Sequence, residues 1–227
     1  MDLKYTIKRS AKRDKLTITV ERNREVVIHA PATASEETIA RVVKSRRQWI
    51  FEKLSHTQKY QPLPHPPGKE FVSGESALYL GRAYRIEVVK KGLLEVQFKQ
   101  RFLVPSEGGQ RPHGALRAWY EARAKEVILP RVAAHAATLG VDYNQAKIVD
   151  ARYRWGSCTV INNVNFNWRL IKAPSWVIDY VIIHELAHLI EANHTPRFWN
   201  IVRSQVTRME KAKAWLSENG QLLEQEI

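Results

Sequence analysis

The chain has 227 residues, 44% of them hydrophobic, enough to bury a core in one large domain or two small ones. Its net charge of +13 and pI near 9.9 imply attraction to polyanions: nucleic acid, nucleotides or acidic protein segments. The single Cys158 excludes an internal disulfide and a cysteine-based metal cluster, and no run of about 18 apolar residues exists to cross a membrane.

The opening segment MDLKYTIKRSAKRDK is charged and lacks an apolar signal-peptide core, so the protein is expected in the cytoplasm. KYTIK (4–8), LTITV (16–20) and VVIHA (26–30) predict three short strands, the last stopped by Pro31. Lys8, Arg9, Lys12, Arg13 and Lys15 read as a solvated edge that discourages strand-to-strand aggregation, with a grip on an anionic partner as the alternative. Ser35 reads as an N-cap, and Ile39, Val42, Val43, Trp49, Ile50 and Leu54 keep helical spacing to about Leu54. Residues 55–69, rich in Pro, His and Gln, predict a linker, and His56 and His65 in it have no ligand-like partners.

Beyond the linker, SALYL (76–80), YRIEVVK (84–90), LLEVQF (93–98) and FLV (102–104) predict further strands, and SEGGQRPHG a loop. A long helix follows over 115–139, kinked or divided at Pro130 and ended by Gly140. A strand is expected at about 147–153, then the tight segment Trp155–Cys158, a turn at Asn162-Asn163 and the strand VNFNWRL. Pro174 and Ser175 open a helix, Thr195-Pro196 caps the next, and a last helix runs to about Asn219 before Gly220. The predicted fold class is α+β. A β-rich N-terminal region with one helix covers 1–110, and a helical domain with a short sheet covers 111–227.

The chemistry concentrates in PSWVIDYVIIHELAHLIEANHTPRFW (174–199). His184 and His188 stand four residues apart and share a helix face, and His194 follows beyond Asn193, a residue able to end a helix left-handed. Three imidazoles make a catalytic metal site with one position left for water. Glu185 lies beside them, where a carboxylate can take a proton from water. The flanking residues from Trp176 to Ile190 are nearly all apolar, and burying His184, Glu185 and His188 among them is costly unless they find partners. A metal supplies one; a hydrogen-bonded pair of core histidines is the alternative. Glu191 is a second candidate for the third ligand, less well placed than His194 because it lies only three residues past His188.

The segments RWGSC (154–158), LIKAP (170–174), VIDYVIIHELAHL (177–189) and NHTPRFW (193–199) resemble the YgjP-like family of zincin-type metal-dependent hydrolases, related to SprT-like peptidases. The likeness extends to RSAKRDKLTITV and RRQWI, so it covers most of the chain. It implies a zincin-like C-terminal domain, one zinc ion on His184, His188 and His194, and Glu185 as the catalytic carboxylate. The histidine spacing also resembles that of metzincins, but Glu191 stands where those enzymes carry glycine, and Met209 is the only later methionine.

The reading is therefore metal-assisted hydrolysis, most simply a metallopeptidase. The strand VNFNWRL is expected to wall the cleft and pair with an extended peptide. Arg154 and Asn167 are candidates to bind substrate or developing negative charge, with structural hydrogen bonding as the alternative. Trp155 and Cys158 read as packing. Arg152, Arg154, Arg169 and Lys172 near the motif raise a second reading, a nucleotide phosphohydrolase acting on nucleoside triphosphates such as UTP, or on pyrophosphate. A third is a basic nucleic-acid-associated protein with a structural metal. No membrane partner is expected.

Overall fold

The computed structural model describes residues 3–11, 13–21, 24–54, 73–106, 112–151 and 154–224. The predicted linker, with His56 and His65, lies outside them, as do Lys12 and Arg152. The chain divides into two compact units, Met1–Pro66 and Pro67–Ile227.

In the first unit, β3 (Val26–Pro31) is the central strand, parallel to β1 (Thr6–Ser10) and antiparallel to β2 (Thr17–Val20). Ser35 caps α1 (Glu36–Ser45) by accepting a hydrogen bond from the Thr38 N–H at 3.2 Å. Ile39 and Val43 of α1, and Ile50 of α2 (Arg47–Leu54), close over Val20, Val26, Ile28 and Ala30. The single helix expected to Leu54 is thus two segments that break at Arg46, which leaves helical geometry at ψ 10°. Two of the basic residues hold turns: Arg9 donates to the Ala32 and Ala34 carbonyls, and Arg13 to Thr17 Oγ1.

The second unit begins with the sheet β4 (Ser76–Tyr79), β5 (Arg82–Val89), β6 (Gln97–Phe98) and β7 (Phe102–Pro105), ordered β4-β5-β7-β6. Tyr79, Phe98 and Phe102 meet Trp119 of α3 (Pro112–Leu139) with ring centroids 5.1–5.9 Å apart. That shared aromatic core is why this sheet belongs with the C-terminal residues, and why the units divide at Pro66–Pro67 rather than near 110. Of LLEVQF only Gln97 and Phe98 pair; Leu94 is 93% exposed.

Pro130 neither divides α3 nor interrupts its buried stripe: Leu116, Tyr120, Ala124, Ile128, Val132 and Ala136 lie every fourth residue along it. The proline is exposed, so tertiary burial on the opposite side offsets its intrinsic cost of about 3 kcal/mol. A second sheet follows, ordered β8 (Gln145–Val149), β10 (Asn163–Asn167), β9 (Gly156–Cys158). A 3₁₀ turn, Trp168–Lys172, then leads to α4 (Ser175–Ala187), α5 (Pro196–Gln205) and α6 (Met209–Glu224). The last helix continues through buried Gly220 because Leu223 beyond it is fully buried and its carbonyl takes the Lys172 ammonium at 3.2 Å. No helix among the described residues is long and apolar enough to cross a membrane.

Candidate metal centre

Helix α4 is buried on every side, with Val177, Ile178, Val181, Ile182, Ile183, Leu186 and Ala187 all in the core. Its polar anchor to α3 is Asp179, which accepts from Arg131 at 2.8 and 3.0 Å and lies 3.2 Å from His135 Nε2. Burial alone raises the Asp179 pKa, but the hydrogen bonds from His135 and Arg131 outweigh it and hold the carboxyl below its ordinary value. The helix is thereby fixed five residues ahead of His184.

Regular helix ends at Ala187, and His188 is its C-cap, with φ −66° and ψ −17°. The turn continues through Leu189, Ile190 and Glu191, whose N–H groups reach the Leu186 and Ala187 carbonyls. Asn193 does not take the left-handed role expected of it; its carbonyl accepts the Thr195 N–H at 2.7 Å. Thr195 then caps α5 by accepting from the Phe198 N–H, with Pro196 at the first position. This return brings His194 back against α4.

His184, His188 and His194 each offer a ligating atom within 4.8 Å of the others. The Nε2 atoms of His184 and His194 are 3.0 Å apart, and Phe198 lies against all three rings at centroid distances of 4.5–4.9 Å. Trp199 stacks on His194 at 5.4 Å and 22°. His188 Nδ1 lies 3.3 Å from the Glu191 carbonyl, a contact that leaves Nε2 for the cluster. Glu191 meets the site only through that backbone atom; its carboxylate is outside the ligand cluster.

The donor set fits a metal. Burial, then the other two histidines and Lys213, push the His184 pKa down to about 3. Burial and His188 lower that of His194. Both rings are therefore neutral near pH 7, the form that ligates. The buried Nδ1 of His184 has no hydrogen-bond partner among the described residues, and the ring's one contact of that kind is Nε2 to His194 inside the cluster. Three converging imidazole nitrogens suit a borderline divalent transition metal.

Glu185 is 8% exposed, and burial pushes its carboxyl up to about 8 against the opposing pull of Arg154 and the Cys158 N–H. Its carboxylate, the three histidines, Gly156, Ser157, Cys158 and the turn residues Thr159, Val160 and Asn162 line a cleft of about 670 Å³. Cys158 faces this cleft as well as packing, and burial followed by the nearby Glu185 raises its thiol pKa. Trp155 is buried, as expected.

Several sequence assignments change here. β10 is bonded on one side to β8 and on the other to β9, so it has no open edge; the cleft wall is β9. Asn167 is 1% exposed, and its side chain is committed to the chain: it donates to the Ala151 and Arg154 carbonyls and accepts the Arg169 N–H. It braces Ala151 and Arg154, the structural role weighed against substrate binding. Arg154 is exposed and acts on Glu185 through charge without lining the cleft. Arg169 pairs with Asp150 and lies over Trp168, and Lys172 is buried beneath the Leu223 carbonyl. Neither of those two cations lines the cleft, so two of the four behind the phosphate reading are engaged elsewhere.

The residue missed in the sequence is Gly156. A glycine inside a strand signals a close approach, here that of Glu185.

The YgjP-like family, described as "YgjP-like, metallopeptidase domain", matches residues 14–219. No curated protein matches the chain. Two crystal structures of metallopeptidase zymogens are similar to parts of it. Abylysin of Pyrococcus abyssi is 19% identical over 44% of this chain and 98% of its own, with a TM-score of 0.38. Jannalysin of Methanocaldococcus jannaschii is 20% identical over 42% of this chain and 96% of its own, with a TM-score of 0.36.

Proposed function

The chain belongs to the YgjP-like family of metallopeptidase domains, and from that premise we propose that it is a zinc-dependent, zincin-type peptidase of the cytoplasm. His184, His188 and His194 hold the metal, and Glu185 is the general base. The observation that carries this is the convergence of three imidazoles within 4.8 Å in the same cleft as a buried carboxylate.

Bound zinc would supply Lewis acidity and bring a water's pKa from 15.7 to about 7. The remaining work falls to the chain. Glu185 takes the proton of the attacking water onto its carboxylate and passes it to the leaving amine nitrogen. The Cys158 N–H holds that carboxylate in place, and Gly156 leaves the space it occupies. Binding of the peptide is assigned to β9. The Trp155 carbonyl and the Thr159 N–H bond toward the β10 side, so by alternation the backbone groups of Gly156 and Cys158 face the cleft. With the Cys158 N–H given to Glu185, an extended peptide pairs with the Gly156 N–H and C=O and the Cys158 C=O.

Incubating the zinc-loaded chain with a peptide library and reading products by mass spectrometry tests this. Cleavage that stops on chelation and returns with zinc is expected. An intact library with one zinc bound per chain would sink the peptidase reading.

A further inference from the structure

A second cavity, of about 300 Å³, adjoins the histidine cluster through Trp199. One face of α5 lines it with Trp199, Asn200 and Arg203, and the start of α6 with Met209, Glu210 and Lys213. We propose that this cavity is a substrate subsite that binds a carboxylate, borne either by an acidic side chain or by the free C-terminus of the peptide. The proposal rests on the peptidase reading and names the substrate class for it.

The chemistry of the lining carries the argument. The Lys213 ammonium stands 4.7 Å from the centre of the Trp199 ring and 3.3 Å from Glu210 Oε2. Its side chain is 34% exposed and that of Glu210 is 68% exposed. Arg203 donates to Asn200 Oδ1 at 3.3 Å, and among the described residues no carboxylate lies at ion-pair distance from it. Two cations therefore face one anion across a small cavity, and an incoming carboxylate meets charge-assisted donors from both helices. Trp199 and Met209 give the rest of the residue an apolar surface.

Position links the cavity to the reaction. Trp199 stacks on His194 and lies 5.8 Å from His184, so the ammonium and the imidazoles contact the same indole ring. A carboxylate held at Lys213 and Arg203 is therefore held beside the indole that stacks on His194, where an anchor for one end of the peptide selects substrate.

The test uses the zinc-loaded full chain with matched peptides: a C-terminal acid against its amide, and an internal Glu against Gln. One replacement is expected to lower kcat/KM by about tenfold or more. Sensitivity to the amide assigns the C-terminal carboxylate, and sensitivity to Gln assigns the side chain. Lys213→Glu and Arg203→Glu should each bring the acid-to-neutral ratio to about one with zinc content unchanged. Equal turnover of all peptides by the wild type, or a ratio that survives both variants, would overturn the assignment. Calorimetric binding of the same peptides to zinc-loaded Glu185→Gln separates this from the peptidase reading. A preference for acid in binding with no cleavage by the wild type keeps the subsite and removes the peptidase. Cleavage without preference does the opposite, and neither binding nor cleavage overturns both.

Discussion

Gly156 and Glu185 are in direct contact: a Cβ on Gly156 would stand 2.5 Å from Glu185 Cγ and 2.7 Å from Oε1. The strand that borders the cleft can approach Glu185 only because it lacks a side chain there. Gly156→Ala must displace either β9 or the carboxylate, at a cost of about 1–3 kcal/mol in stability. Because a shift of about 1 Å in a catalytic group costs up to about a hundredfold, turnover should fall by that order. Zinc content should not change, since no ligand sits on β9. Peptide kinetics and metal analysis on the purified variant check both parts.

Glu185 also sets a pH dependence for the metal-free chain. Its folded pKa, about 8, exceeds the ordinary 4.5, so between these values the folded state binds more protons than the unfolded state. Stability from this group therefore falls as pH rises through that window. Metal-free Glu185→Gln lacks the penalty, and its advantage in Tm over the wild type should widen from about pH 5 to about pH 8. Loading with zinc favours the ionised carboxylate, so at pH 7 the wild type should release a proton on binding that Glu185→Gln does not. Calorimetry in buffers of different ionisation enthalpy reads it.

The Arg131–Asp179–His135 cluster fixes α4 to α3, and its contribution runs the other way with pH. The lowered Asp179 pKa means that its stabilisation is complete above the unfolded value of 3.8 and is lost as pH falls through the folded value below it. Arg131 is 37% exposed, which limits Asp179→Asn to about 1 kcal/mol, a Tm loss of about 2–4 °C at neutral pH. Thermal melts should show that difference closing in acid.

The third ligand can be separated from its neighbour on the same turn. His194→Ala should lower the zinc bound per chain well below one, whereas Glu191→Ala should leave it unchanged, because Glu191 contributes only its carbonyl, to His188. Metal content after dialysis distinguishes them.

The parts legible in the sequence were those written in local chemistry. Ser35 and Thr195-Pro196 cap the helices they were expected to cap, and the apolar run around His184 is a helix buried on all sides. The parts that were not legible depend on distant partners. Gly156–Cys158 has too few residues to show alternation, and it becomes a strand only by pairing with Phe166, Asn165 and Val164. Asn167 carries the composition of a binding residue, but only the fold shows that the Ala151 and Arg154 carbonyls consume its amide. Pro130 and Gly220 look like breaks and are overridden by burial along α3 and α6.

The central claim is that Glu185, in a cleft with three histidines, hydrolyses peptide bonds. Zinc-loaded wild type and Glu185→Gln, matched for zinc content and assayed in parallel on peptides and on nucleoside triphosphates, test it most directly. The account predicts peptide cleavage by the wild type alone, with no phosphate or pyrophosphate released by either protein. Equal peptide cleavage by both, or release of phosphate by the wild type without peptide cleavage, would contradict it.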